Sequence, residues 1–166
     1  RQSDHLTTQE EVRMSRKNVS VSMLVLGCAL FLSGGLASAE DLPPLAPVPP
    51  EYADKKMPAG GWTDPKAIAE GGKIYNGEFK TDVNCSSCHG KDGKPAKKGA
   101  RDLRDPNIVC RYSDAYWFWR VSEGIPKTKM KGNKGLLSEE QIWQVMAYEN
   151  QFSHDGKPAD RSCYKP

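Results

Sequence analysis

The sequence predicts an all-α fold, because three segments combine helical periodicity with capping signals and strand signals are essentially absent. The first segment is TDPKAIAEGGKIYNGEF, in which Asp64 precedes a proline and can cap the helix. The second is SDAYWFWRVSEG, which runs from Ser113 as a cap to Gly124 as a stop. The third is LSEEQIWQVMAYENQF, in which Ser138 and Gln141 form a capping box.

The first segment contains two glycines, Gly71 and Gly72, at positions where a helix prefers side chains. Each costs a helix roughly 1 kcal/mol relative to alanine. The close approach of another helix would compensate for this cost. The third segment offers a suitable apolar face, formed by Ile142, Trp143, Val145 and Met146.

The stretch VNCSSCHGKDGK places Cys85, Cys88 and His89 in the pattern C-x-x-C-H. This pattern is typical of covalent c-type haem attachment, in which both cysteines form thioethers and the histidine binds the iron. A zinc site or a redox dithiol is the alternative, but zinc needs a second ligand pair. A dithiol of the thioredoxin type would need a βαβ context, and the flanks show no strand pattern. The motif occurs once, which predicts a single haem c.

The N-terminal part predicts export. Residues 14–39 have a basic start, an apolar run and the cleavage pattern Ala37-Ser38-Ala39, as in a secretory signal peptide. Residues 1–13 are interpreted as an upstream or non-native extension. A periplasmic location across the inner membrane follows from this interpretation. A membrane attachment would require that the segment stays uncleaved, or that Cys28 in VLGC is lipidated.

Residues 40–63 form a proline-rich arm that is expected to be extended, either as a linker or laid over the surface. Residues 64–166 form the predicted haem domain. Cys110 and Cys163 remain unassigned, and in an oxidising compartment two such cysteines are expected to form a disulfide. Two free thiols or an intermolecular bridge are the alternatives. The net charge of +3 does not indicate a nucleic-acid partner.

About residues 64–152 resemble the class I c-type cytochrome family. The parts stand in the family order: a glycine-containing helix, Cys85-Ser86-Ser87-Cys88-His89-Gly90, a middle helix, a methionine loop, and a last helix with Trp143 and Tyr148. The resemblance implies a cytochrome c fold, with three main helices around one covalently bound haem and the first and last helices crossing. It also implies an electron carrier rather than an enzyme.

The resemblance assigns Met130 as the sixth iron ligand, because GIPKTKMKGNKG is similar to the family's methionine loop. Lys131 stands where that loop usually has proline. Met57, Met146 and His154 are the other candidates, and an open iron site is the remaining alternative. His/Met ligation would raise the reduction potential relative to two histidines.

Lysines cluster on two loops that border the exposed haem edge in the family fold. A basic ring there would dock onto acidic patches of redox partners, although loop lysines also serve solubility alone. The predicted docking residues are Lys91, Lys94, Lys97, Lys98, Lys127, Lys129, Lys131 and Lys134. Arginines between these loops are candidates for pairing with a haem propionate, or for surface salt bridges: Arg101, Arg104 and Arg111.

The predicted function is periplasmic transfer of single electrons from an oxidoreductase, such as a dehydrogenase, to a downstream cytochrome or oxidase. Several segments look similar to dehydrogenase-associated cytochromes, including the partners of methanol dehydrogenases. One alternative is a haem enzyme or gas sensor with an open iron site. Another is a haem subunit fixed within a larger respiratory complex, with the proline-rich arm as its attachment.

Overall fold

The computed structural model describes residues 42–165, which form five α-helices and contain isolated β-bridges but no strand. The helices are α1 (Pro65–Tyr75), α2 (Ser86–His89), α3 (Pro106–Val109), α4 (Asp114–Glu123) and α5 (Glu139–Asn150), with 3-10 turns at Pro50–Tyr52 and Gln151–His154. The predicted all-α fold with three main helices is confirmed. The expected extension, signal peptide and lipidated Cys28 lie outside the described residues.

The predicted capping residues begin all three main helices. The carboxylate of Asp64 accepts from the amide of Lys66 at 2.8 Å, and this satisfies one of the free donors of the first turn. Ser113 accepts at 3.0 Å from the amide of the third residue of α4, and Ser138 and Gln141 form both bonds of the capping box. The helix starts therefore follow directly from local sequence.

Helices α1 and α5 make the principal helix contact of the domain. Tyr75 of α1 is fully buried, and its ring centre lies 5.3 Å from those of both Tyr148 and Phe152. Aromatic pairs at this separation stabilise the contact beyond their area burial. Helix α4 packs on the same core, where the rings of Phe118 and Trp143 are 4.4 Å apart.

The described part of the arm packs against the helices. Tyr52 is buried, and its hydroxyl donates to the carboxylate of Glu123 at the end of α4. The amide of Met57 donates to Asp114 at 2.9 Å, and the ring of Trp62 lies 5.9 Å from that of Trp117. These contacts favour the interpretation of an arm laid over the surface rather than a free linker.

A disulfide joins Cys110, at the end of α3, to Cys163 in the C-terminal tail, with 5.4 Å between their Cα atoms. The tail also contributes Arg161, which donates at 3.1 Å to the carbonyl of Val109 and stacks over the ring of Trp117 at 4.9 Å. The tail is thus fixed beside α4. Within residues 42–165, every helix is too short or too polar to cross a membrane.

Candidate haem-binding site

The C-x-x-C-H motif forms one short helical turn. Asn84 caps this turn, because its side-chain oxygen accepts from the amide and hydroxyl of the two serines that follow Cys85, both at 2.9 Å. The carbonyl of Cys88 accepts from the amides of Ala96 and Lys97, at 2.9 and 3.1 Å. The loop after the motif therefore folds back on the turn and holds both cysteines in place.

His89 is oriented by its backbone neighbour across the loop. Its Nδ1 lies 3.0 Å from the carbonyl oxygen of Arg101, to which it donates in the matching tautomer. Metal-binding histidines commonly donate one ring N–H to a carbonyl in this way, which fixes the ring and leaves the other nitrogen for the metal. Here the free nitrogen is Nε2, and His89 lines a cleft.

Met130 lines the same cleft, although it lies 41 positions later in the sequence than His89. The backbone of Met130 is held by two hydrogen bonds, one at its amide and one at its carbonyl. Its amide donates to the hydroxyl of Thr128 at 3.1 Å, and its carbonyl accepts from the amide of Ile125 at 3.0 Å. These hydrogen bonds hold the loop backbone around Met130, although Lys131 stands where the family's loop usually has proline.

The cleft residues suit a large, flat, mostly apolar group with acidic edges. Its walls are largely apolar and aromatic, with arginines at several points: Leu42, Leu45, Leu103, Ile108, Ile125, Tyr112, Tyr116, Trp117, Arg101, Arg111 and Arg120. The Nε of Arg120 is buried and has no hydrogen-bond partner among the described residues. An acidic acceptor such as a haem propionate would satisfy it. The residues present fit haem.

The arginines differ in what they contact. Arg111 lines the cleft and donates to the carbonyl of Pro43 at 2.8 Å. Arg104 instead pairs with Asp102 at 2.8 Å on the surface, and it does not line the cleft. Arg104 therefore forms a surface salt bridge, which was the alternative to pairing with a propionate.

The other candidate iron ligands do not line the cleft. Met57 borders a larger surface hollow between the arm and the first turns of α1 and α5. Met146 is completely buried in the core, where methionine serves as filler. The Nδ1 of His154 lies 2.8 Å from the carbonyl oxygen of Asn150, its helical neighbour. Met130 is thus the candidate that shares a cleft with His89.

The zinc and dithiol alternatives find little support. Burial raises the pKa of the Cys85 thiol well above its usual range, which disfavours the thiolate that both chemistries need. Cys85 and Cys88 are not bonded to each other. Residues 42–165 contain no group of three or more His, Cys, Asp and Glu side chains placed to hold a metal ion.

The predicted docking lysines are all exposed, in loops next to the motif and around Met130. Lys134 differs from the others because it pairs with Glu123 at 2.7 Å and lies beside the hydroxyl of Tyr52. This contact fixes the arm to α4 and removes part of the charge that Lys134 would offer to a partner.

Several residues of the cleft were not predicted from the sequence, among them the arm segment 42–45 and Glu149. Glu149 is buried, although glutamate is rarely found in a core. A local signal existed, because Glu149 follows Ile142, Val145 and Met146 at helical spacing and so continues the apolar face of α5.

A helical domain with one C-x-x-C-H turn beside a largely apolar cleft defines a c-type cytochrome, a class of electron carriers that hold haem c covalently. The family model described as "Cytochrome C oxidase, cbb3-type, subunit III" matches residues 66–148. The chain belongs to this family of c-type cytochrome domains, and its cofactor is covalently bound haem c.

A similar solved structure is that of cytochrome CL from the marine methylotrophic bacterium Methylophaga aminisulfidivorans, with 19% sequence identity and a TM-score of 0.45. The similarity covers 79% of this chain and 89% of that chain. No curated protein matches the chain.

Proposed function

We propose that this protein is a periplasmic monohaem cytochrome that passes single electrons from an oxidoreductase, such as a dehydrogenase, to a downstream cytochrome or oxidase. Cys85 and Cys88 would hold the haem through thioethers, and His89 and Met130 would be its axial iron ligands. The periplasmic location rests on the signal-peptide pattern of residues 14–39.

The observation that carries this proposal is that His89 and Met130 line one cleft, while Met57, Met146 and His154 do not. Hydrogen bonds within the protein hold the ring of His89 and the backbone of Met130. If His89 and Met130 both bind the iron, they would leave no position on it open to a substrate. Such a site suits electron transfer with little rearrangement, rather than bond chemistry at the metal.

The exposed lysines beside the motif and around Met130 support docking to acidic partners. Charge complementarity chiefly raises the rate of encounter and orients short-lived complexes. The docking set is Lys91, Lys94, Lys97, Lys98, Lys127, Lys129 and Lys131, with Lys134 partly neutralised by Glu123.

A second candidate is a haem subunit fixed within a larger respiratory complex. The printed description of the matching family names an oxidase subunit, and the arm and the disulfide-linked tail extend beyond the haem core. Purification from native membranes and soluble extract separates the two candidates. Near-stoichiometric co-purification with other subunits supports the fixed subunit, whereas a free monomer supports the mobile carrier.

Absorption spectra of the holoprotein test the proposed ligation. We expect the oxidised protein to show the weak far-red sulfur-to-iron band and the reduced protein to resist carbon monoxide. Met130→Ala should remove the band and admit carbon monoxide, whereas Met57→Ala should change neither. A high-spin oxidised spectrum with rapid carbon monoxide binding by the unmodified protein would reject the carrier and favour a haem enzyme or gas sensor.

A further inference from the structure

Glu149 is a buried carboxyl group in the wall of the haem cleft. Its Oε2 accepts one hydrogen bond from the indole Nε1 of Trp117, at 3.2 Å. Within residues 42–165, no lysine or arginine forms an ion pair with it. A buried carboxylate without a cationic partner is costly, so the protonated form is favoured.

The groups packed around Glu149 do not neutralise it. From α1 faces Tyr75, whose hydroxyl donates to the carbonyl of Gly90 at 2.6 Å, and from the start of α2 faces Cys85, which no longer ionises once it is a thioether. From α4 comes Trp117, a neutral donor. Tyr148 is its neighbour on α5 itself.

Two arginines of this region contact aromatic rings or backbone rather than Glu149. Arg120 lines the same cleft but stacks over the ring of Trp119, with 3.7 Å between guanidinium and ring centre. Arg161 stacks over Trp117 and donates to backbone carbonyls. The remaining titratable residues of the cleft are His89, Arg101, Arg111, Tyr112 and Tyr116.

We propose that Glu149 is a redox-linked proton-binding site: its carboxylate is ionised in the oxidised protein and takes one proton from solvent when the protein is reduced. An O–H bond forms on the carboxylate as one electron arrives from the donor protein. The proton returns to solvent when that electron leaves. Each transfer cycle would thus move one proton with one electron.

The physical reason is the position of Glu149 beside the cofactor. The oxidised iron carries one more positive charge than the reduced iron, and it therefore favours the ionised carboxylate. In a cleft of low dielectric constant this interaction is stronger than in water. Burial already raises the pKa of Glu149 from 4.5 to about 8, against the opposing effect of the Trp117 hydrogen bond, so the titration falls near neutral pH.

Coupling between the proton and the electron is reciprocal. If reduction raises the pKa of Glu149, then protonation of Glu149 raises the reduction potential. The potential should be constant at low pH, fall as pH rises between the two pKa values, and become constant again above them. This inference rests on the haem and on the place of Glu149 in the cleft; the identity of the redox partners does not enter.

Potentiometric titration of the holoprotein between about pH 5 and pH 10 tests this proposal. We expect the potential to fall by up to about 59 mV for each tenfold drop in proton activity within the window. Glu149→Gln keeps the shape and can still accept from Trp117, and it should remove this fall. An equal fall in both proteins would assign the proton to another group, such as a propionate, and a flat potential in the unmodified protein would reject the proposal outright.

Two further measurements serve if Glu149→Gln does not fold. Trp117→Phe removes the hydrogen bond that lowers the pKa, and it should move the window to higher pH. An infrared difference spectrum of the unmodified protein should show a protonated carboxyl band that appears on reduction and shifts in D2O. Absence of this band would reject the proposal.

The proton linkage and the proposed carrier fail in different ways. A normal His/Met spectrum with a pH-independent potential would reject the proton linkage alone, whereas carbon monoxide binding would reject the proposed carrier.

Discussion

Gly71 of α1 lies so close to the backbone carbonyl of Gln144 in α5 that a methyl group on Gly71 would overlap the carbonyl oxygen. The neighbouring Gly72 faces the ring of Tyr148, from which an added Cβ would be 3.1 Å away. Of these two glycines, Gly71 is the one at which the backbones of α1 and α5 meet directly, whereas Gly72 meets a side chain. The helix-weakening glycines are thus explained by the crossing that organises the fold.

We therefore expect Gly71→Ala to lower the free energy of unfolding by about 1–3 kcal/mol, because the overlap forces the two helices apart. Gly72→Ala is the matched control. It meets a side chain that can move by a few tenths of an ångström, and alanine recovers about 1 kcal/mol of helix propensity. Denaturant unfolding followed by circular dichroism measures both. Equal losses in the two variants would mean that the crossing does not depend on Gly71.

The fold was largely predictable because its starting signals are local. Asp64, Ser113 and Ser138 accept hydrogen bonds from amides two or three residues away. The C-x-x-C-H motif is likewise contained in one short segment that begins at Cys85. Helices α2 and α3 were not predicted, since four residues are too few to show a period.

The composition of the cleft and the position of the arm were less predictable, because both depend on distant contacts. Glu149 is bound by Trp117, which lies 32 positions away, and Tyr52 of the arm is bound by Glu123, which lies 71 positions away. Neither pairing leaves a local pattern. Composition left both a linker and a surface-packed segment open for the arm, and its packing on α4 depends on distant contacts of the same kind.

The disulfide between Cys110 and Cys163 spans 53 positions of sequence. In the chain-entropy model, a loop of this length restricts the unfolded chain by about 4 kcal/mol. We expect the double variant Cys110→Ser/Cys163→Ser to lose about this much stability while keeping its haem spectrum. Unfolding of the unmodified protein with and without a thiol reductant, at fixed iron oxidation state, measures the effect. The control is the double variant, whose stability the reductant should leave unchanged.

The lysines around Met130 should accelerate reaction with anionic redox partners. For Lys127→Glu/Lys129→Glu we expect several-fold slower oxidation of the reduced protein by hexacyanoferrate(III) at low ionic strength. A cationic cobalt complex should react faster with the same variant, and both differences should fade as salt is added. Lys157→Glu, an exposed charge reversal outside both lysine loops, is the control. Equal responses of the two variants would assign the loop lysines to solubility.

Glu149 should also make the stability of the protein depend on pH. Its pKa is raised from 4.5 to about 8 in the folded state, so the folded protein binds the proton more tightly than the unfolded chain. Stability is then full below the ordinary pKa of glutamate and is lost as pH rises from about 4.5 toward 8. This direction is opposite to that of a carboxylate stabilised by a salt bridge.

Denaturant titrations of the holoprotein at fixed oxidation state and stepped pH measure this dependence. We expect several kcal/mol to be lost across the window in the unmodified protein, and much less in Glu149→Gln, whose amide does not ionise. The loss should be smaller in the oxidised than in the reduced protein, because the additional positive charge offsets part of the cost of ionisation. A stability profile that rises with pH in this window would show that Glu149 is ionised and paired in the folded protein, contrary to its burial beside Trp117.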